Sequence, residues 1–398
     1  MNAENESFRF SGKITTHNFF GMPDYSMIYT TALIFLLALV LMSIAHAGLY
    51  LPSVFALGVL LGLVLYLSRF GFASTYRNMM LDGKTEGIRA QLMMLMLATV
   101  LFAPILAAGK VFGTNVTGAI APVGLQVAAG AFLFGMGMQL GGGCGSGTLY
   151  ALGGGSLRMV ITLAAFVAGS FWASLHMDWW QTLPSIGVWS VGERMGWELA
   201  VFLQLAVLAG LFLLIRGEKA AETGPVSWRT LLSSPWTMMQ GAIALALLNA
   251  ATLIMTGHPW TITWAFTLWG AKLATLAGWA PESYPFWQGG FQLQALNNSL
   301  FHDKTSLMNF GIMFGALLAA LFSHRMKWVW DVNIHRMAAS LIGGMAMGYG
   351  ARIAFGCNIG AFFSGVASTS LHGWLWIFAA LAGTWIGIRL RPVFGLAN

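Results

Sequence analysis

Charge is what this sequence has least of. Asp, Glu, Lys and Arg make up 8% of its 398 residues, where a soluble domain carries about 25%. With 57% hydrophobic residues and a mean hydropathy of +0.72, the chain cannot clothe itself in a water-compatible surface, and the lipid bilayer must be its solvent. Acidic residues are missing altogether between Gly87 and Met177 and after Asp331. Proton- and sodium-coupled transporters often keep buried carboxylates, so a cation path is disfavoured. Basic runs are missing too. The 20 Lys and Arg are scattered singly near the ends of apolar stretches, which excludes nucleic-acid binding and reads as a topology signal. The sequence contains no CxxC, no haem-ligating His pair and no nucleotide motif. The polar start MNAENESFRFSGK, followed by a stretch long enough to span, is not expected to act as a cleavable signal peptide. Cysteine is scarce: Cys144 and Cys357 are the 2 in the chain, too few for a disulfide framework. They are packing residues, one redox pair, or two working thiols.

What is present is a series of apolar runs. A spanning helix needs about 20 mostly apolar residues. Runs of that kind lie at 28–50, 52–68, 88–109, 117–140, 157–175, 197–216, 234–256, 306–323, 337–355 and 371–389. The segments 71–82, 142–156, 258–278 and 356–369 are too short or too rich in glycine to span, and are expected as half-helices or re-entrant loops. Basic residues in the loops 216–229 and 324–336 and at Arg389 and Arg391 place those loops, and both termini, in the cytosol. The expected fold is an all-α polytopic membrane protein of about ten transmembrane helices plus short re-entrant half-helices.

The chain also repeats. Gly135, Gly137, Gly143, Cys144 and Gly147 fall on Gly348, Gly350, Gly356, Cys357 and Gly360 at a constant separation of 213 residues. With one residue of slip, Ala168-Gly169-Ser170-Phe171 falls on Ala382-Gly383-Thr384-Trp385. The halves begin an odd number of spans apart, so they sit upside down relative to each other, an inverted repeat of the kind secondary transporters use. The predicted organisation is a cytosolic tail (1–27), an extra first helix (28–51), a first repeat (52–176), a linker with one helix and a cytosolic loop (177–233), and a second, inverted repeat (234–398).

Glycines around Cys144 break the helix, and a broken helix survives in a bilayer only where protein or a water-filled cavity covers it. Bare N–H groups at a helix start attract anions. Gly135, Gly137, Gly348 and Gly350 read instead as close-packing positions. Arg352 lies within the second cysteine module and Arg158 within the first, so the ligand these modules suit is an anion. Arg352 is either a site residue or a snorkelling one. The Met clusters and the Trp pairs read as packing and interfacial belts.

The stretches GGGCGSGTLY (141–150), GYGARIAFGCNIGAFFSG (348–365) and SLHGWLWIFAALAGTW (370–385) resemble the YeeE/YedE sulfur-transport family of bacterial inner-membrane proteins. That resemblance implies a transporter rather than an enzyme, with thiosulfate as the first choice of small sulfur oxyanion, passed between thiols. By that resemblance Cys144 and Cys357 are the two thiols; with the backbone around them and the intramembrane arginine, the candidate substrate-binding set is Cys144, Cys357, Gly143, Gly145, Ser146, Gly147, Gly356, Asn358, Gly360 and Arg352. The family often carries a third cysteine in an R-F-C motif; this chain has Arg69-Phe70-Gly71. The alternatives are a membrane thiol oxidoreductase using both cysteines and a membrane partner of a soluble sulfurtransferase.

Overall fold

The computed structural model describes residues 48–217, 236–323 and 333–398, with single positions at 31, 35, 36, 38, 39, 326 and 329. The predicted tail 1–27, nearly all of the predicted first helix, and much of the loops 216–229 and 324–336 lie outside the described residues.

The first half runs through α1 (Tyr50–Ser68), α2 (Phe72–Asp82), α3 (Glu86–Ala108), α4 (Leu125–Gly141), α5 (Gly145–Gly153) and α6 (Arg158–Ser174). A linker supplies α7 (Met177–Gln181), α8 (Val191–Met195) and α9 (Trp197–Leu214). The second half contains α10 (Met238–Thr256), α11 (Thr263–Leu276), α12 (Gly290–Asn297), α13 (Lys304–Phe322), α14 (Ile334–Ile353), a π turn (Asn358–Phe363), α15 (Ser364–Ala367) and α16 (Leu371–Leu390). Two small antiparallel ribbons, β1 (Lys110–Val111) with β2 (Thr114–Asn115) and β3 (Pro122–Gly124) with β4 (Ser185–Val188), add to the otherwise helical chain.

Local chemistry sets the helix ends. Thr237 and Gln240 close a reciprocal capping box at the start of α10. The helix ends at Gly257 in the left-handed region, and α1 ends in the same way at Arg69. Asp303 accepts from the Ser306 N–H to cap α13.

By length and composition, seven apolar helices among the described residues can cross a membrane. They are the α1–α2 and α4–α5 runs, α3, α9, α10, α13 and α16. The expectation of ten differs at three places. The run 28–50 falls almost wholly outside the described residues. Helix α6 has 17 residues, so it reaches only about 26 Å at 1.5 Å per residue. Helix α14 has 20 residues but carries four glycines, His335, Arg336 and Arg352.

Several helix contacts come in pairs that exchange between the halves. Helix α1 packs on α13 and α10 on α3; α6 packs on α14 and α4 on α16; α5 meets α13 and α15 meets α3. The glycines expected as packing positions make these approaches. A β-carbon at Gly135 would strike the Ala380 carbonyl, and one at Gly348 the Phe166 carbonyl. Where α4 crosses α14, Gly130 faces Gly350 and Gly137 faces Gly343, two contacts that exchange with each other under the 213-residue shift. In lipid, where apolar burial does not drive helices together, such close backbone contact supplies the attraction.

Candidate functional site

The two cysteines occupy matching backbone positions. Helix α4 ends at Gly142 with φ 86°, and the chain after α14 turns at Phe355 with φ 60°. Cys144 and Cys357 then follow in extended conformation (φ −83° and −101°), each as the N-cap of the short segment after it. A left-handed turn is natural for glycine and strained for phenylalanine. The shared geometry therefore survives a change of residue that disfavours it.

Both thiols are free and buried. The Cys144 sulfur shares a hydrogen bond with the Ser146 hydroxyl at 3.4 Å, and the N–H groups of Gly147 and Phe72 are directed at it. The Cys357 sulfur is addressed by the N–H groups of Gly360 and Ile359. The modules meet: a β-carbon at Gly145 would lie 3.3 Å from the Cys357 sulfur, and one at Gly147 would lie 3.5 Å from that of Cys144. Glycine at both positions keeps the space beside each sulfur clear. At Gly143 a side chain would press on the Gly147–Thr148 peptide, and at Gly356 on the Ala361 N–H, so those two glycines serve the turns themselves.

The structure thus brings nine of the ten expected residues into two facing modules. Arg352 is placed elsewhere, at the mouth of the Cys357 module. It lines a cavity of about 700 Å³ together with His258, Thr261, Asp303, Lys304 and Phe355. It also lines a neighbouring cavity of about 460 Å³ with Phe286 and Phe291. Its guanidinium lies 5.2 Å from the centre of the Phe286 ring, and its buried Nε finds no hydrogen-bond partner among the described residues. The larger cavity reaches Thr261, whose hydroxyl lies 3.1 Å from where a Gly360 β-carbon would stand. The polar opening therefore leads to the backbone that surrounds Cys357.

The matching end of α4 in the first half is tied down by hydrogen bonds. Gln139, 213 residues before Arg352, accepts from Arg77 at 3.2 Å and donates to the Ala73 carbonyl at 2.9 Å. Arg158 donates to the Leu140 carbonyl and Arg391 to the Gln139 carbonyl, so both arginines cap the end of α4. Arg158, which shares the module with Cys144 in the sequence, is committed to this cap and to Ser340.

Sequence reasoning missed Tyr76, Tyr150 and the Phe72 N–H. The hydroxyls of Tyr76 and Tyr150 both lie within electrostatic range of the Cys144 sulfur. A signal exists: 71–82 reads as a short break, and Tyr76 is in the middle of it.

Comparison with known proteins adds a family and relatives. A family model described as Sulphur transport matches residues 67–386. The chain is 34% identical over 161 residues to "Probable transporter YedE" of Escherichia coli (strain K12), covering 40% of this chain and 39% of that one. It is 26% identical over 345 residues to "Thiosulfate transporter TsuA" of Spirochaeta thermophila, covering 82% of this chain and 95% of that one. The protein of the same name in Escherichia coli (strain K12) is 25% identical over 350 residues, 84% of this chain and 94% of that one. The matched stretch spans between 39% and 43% of the length of the two YedE proteins.

Proposed function

We propose that this chain, which belongs to the sulphur transport family, carries a small sulfur-containing oxyanion, thiosulfate first, across a bacterial inner membrane. The observation that carries this reading is the meeting of two buried thiols at the starts of two short segments, each addressed by backbone N–H groups. Neutral S–H and N–H donors match an anion that carries both oxygen and sulfur. They hold it without a fixed full charge, so it is bound weakly enough to leave again. Neither cysteine module contains an acidic residue that would repel it.

In this reading the anion enters the larger cavity beside Arg352, moves to the Cys357 thiol, and is handed to the Cys144 thiol. The hand-over is an exchange of hydrogen bonds and needs no covalent step. The topology that goes with it has ten spans, an inverted repeat and two half-helices entering from opposite faces. Both termini are cytosolic, so the Arg352 cavities open to the outside. The symmetric helix contacts support the repeat. Gly71 leaves the pathway with two thiols where relatives of this family often have a third.

Uptake of labelled thiosulfate into vesicles containing the full chain tests the proposal. Cys144→Ala and Cys357→Ala are each expected to lower uptake at least about tenfold, the scale set by losing a transition-state contact. Unchanged uptake in both variants would remove the thiols from the mechanism.

A further inference from the structure

Asn358 is fully buried beside Cys357, yet its Oδ1 has no hydrogen-bond partner among the described residues. Its Nδ2 donates to the Tyr76 hydroxyl at 3.5 Å, at the long limit of such a bond. Tyr76 is 1% exposed and belongs to α2, the helix whose first N–H addresses the Cys144 sulfur. One loose polar contact therefore joins the Cys144 module to the Cys357 module, and it leaves an amide incompletely bonded where unpaired polar groups are costly.

The two ends of an asparagine amide exchange by a flip of the side chain. In one orientation Nδ2 donates to Tyr76. In the other, the Tyr76 O–H donates to Oδ1 and both amide hydrogens are free to bind an acceptor. At the corresponding place in the second half the hydroxyl is already engaged. Thr267, the fifth residue of α11 as Tyr76 is of α2, is held by Ser170 at 2.6 Å and donates to the Thr263 carbonyl. The first half also presents Tyr150, whose hydroxyl lies 3.5 Å from where a Gly71 side chain would begin.

We infer that Tyr76 and Asn358 form a polar station between the two thiols, holding the oxygen atoms of the passing anion while its sulfur changes thiol. The inference rests on the pathway proposed above and assigns Tyr76 as a further positioning residue. It also narrows the substrate class to sulfur anions that carry terminal oxygens. The station follows the entrance, so its loss slows passage without weakening capture at Arg352.

Tyr76→Phe removes the hydroxyl and keeps the ring that packs 6.2 Å from Phe72. With the full chain in proteoliposomes and labelled thiosulfate as probe, its maximal rate is expected to fall about tenfold with KM within about twofold of the parent. Asn358→Leu should do the same, and the double variant should be no slower than the slower single one. An unchanged maximal rate in Tyr76→Phe, or a raised KM at unchanged rate, overturns the station. If Tyr76→Phe does not accumulate in the membrane, Asn358→Leu decides by the same two quantities. Cys144→Ala and Cys357→Ala run alongside separate the two failures. Loss in the cysteine variants with normal Tyr76→Phe and Asn358→Leu rejects the station alone, whereas normal cysteine variants reject the pathway beneath it.

Discussion

The Cys144 and Cys357 modules share one plan and are finished differently. Each follows a left-handed turn and an extended cysteine, but α5 is α-helical from Gly145, whereas Asn358–Phe363 is wound as a π turn. In the π turn the Phe362 N–H reaches the Cys357 carbonyl, widening the coil where Asn358 faces Tyr76. Such widened turns occur often at functional sites. Where the first module has Gln139, bonded to Arg77 and Ala73, the second has Arg352, facing two cavities with its Nε unpaired among the described residues. What the halves share is scaffold; what they do not share distinguishes a helix end that faces cavities from one that is tied down by bonds.

The largest effect should come from breaking what is shared. Gly135→Leu and Gly348→Leu drive side chains into the Ala380 and Phe166 carbonyls, which belong to packed helices and cannot yield. Overpacking of this kind costs on the order of 3 kcal/mol. Both variants should lose folded protein in detergent, measured by thermal unfolding, and by similar amounts because the contacts are related by the repeat. A large difference between them would show that the halves do not bear load equally.

A smaller effect should sharpen the difference between these two helix ends. Arg352→Gln gives the second module the residue of the first. Loss of a charged hydrogen bond costs about 1.5–3 kcal/mol, so KM for thiosulfate should rise about tenfold or more with little change in maximal rate, as expected for lost capture. Arg158→Gln should instead lower the unfolding temperature and leave KM near the parent value, because Arg158 is spent on the Leu140 carbonyl and Ser340. A KM rise in Arg158→Gln that matched Arg352→Gln would erase the distinction between capping and capturing arginines.

These contrasts also mark what the sequence could say. Cys144 and Cys357 were legible because two lone cysteines in matching glycine surroundings are costly to arrange by chance, and glycine runs break helices wherever they occur. The packing role of Gly135, Gly137, Gly348 and Gly350 was legible from their spacing alone. Arg158 and Arg352 were not separable by sequence, since each lies in a cysteine module; only the carbonyls near Arg158 and the cavities near Arg352 tell them apart. Tyr76 falls inside the expected break 71–82, but nothing local singles it out there. Its partner Asn358 stands 282 residues away, and no local pattern encodes so distant a contact. The expected spans at α6 and α14 are not among the seven because α6 has 17 residues and α14 carries four glycines, His335, Arg336 and Arg352, features that the length of an apolar run does not register.

The smallest expected effect concerns the turn that precedes each cysteine. At Gly142, φ is 86°, and an added β-carbon would press on the Met159 side chain at 3.2 Å. Gly142→Ala should therefore cost about 1 kcal/mol or slightly more. At Phe355 the left-handed conformation is already paired with a bulky side chain. A left-handed residue carries a penalty of about 1–2 kcal/mol, and removing a buried Phe side chain forfeits about 1.5–3 kcal/mol when burial is complete. Phe355 is only partly buried, so the relief and the loss nearly offset, and Phe355→Gly should unfold close to the parent temperature. The ring nevertheless lines both Arg352 cavities, and without it they should join into one. Near-parent stability with a changed KM for thiosulfate would mean that the strained turn is kept for the side chain it presents to the entrance. A stability gain in Phe355→Gly with transport unchanged would mean that strain at this position serves nothing.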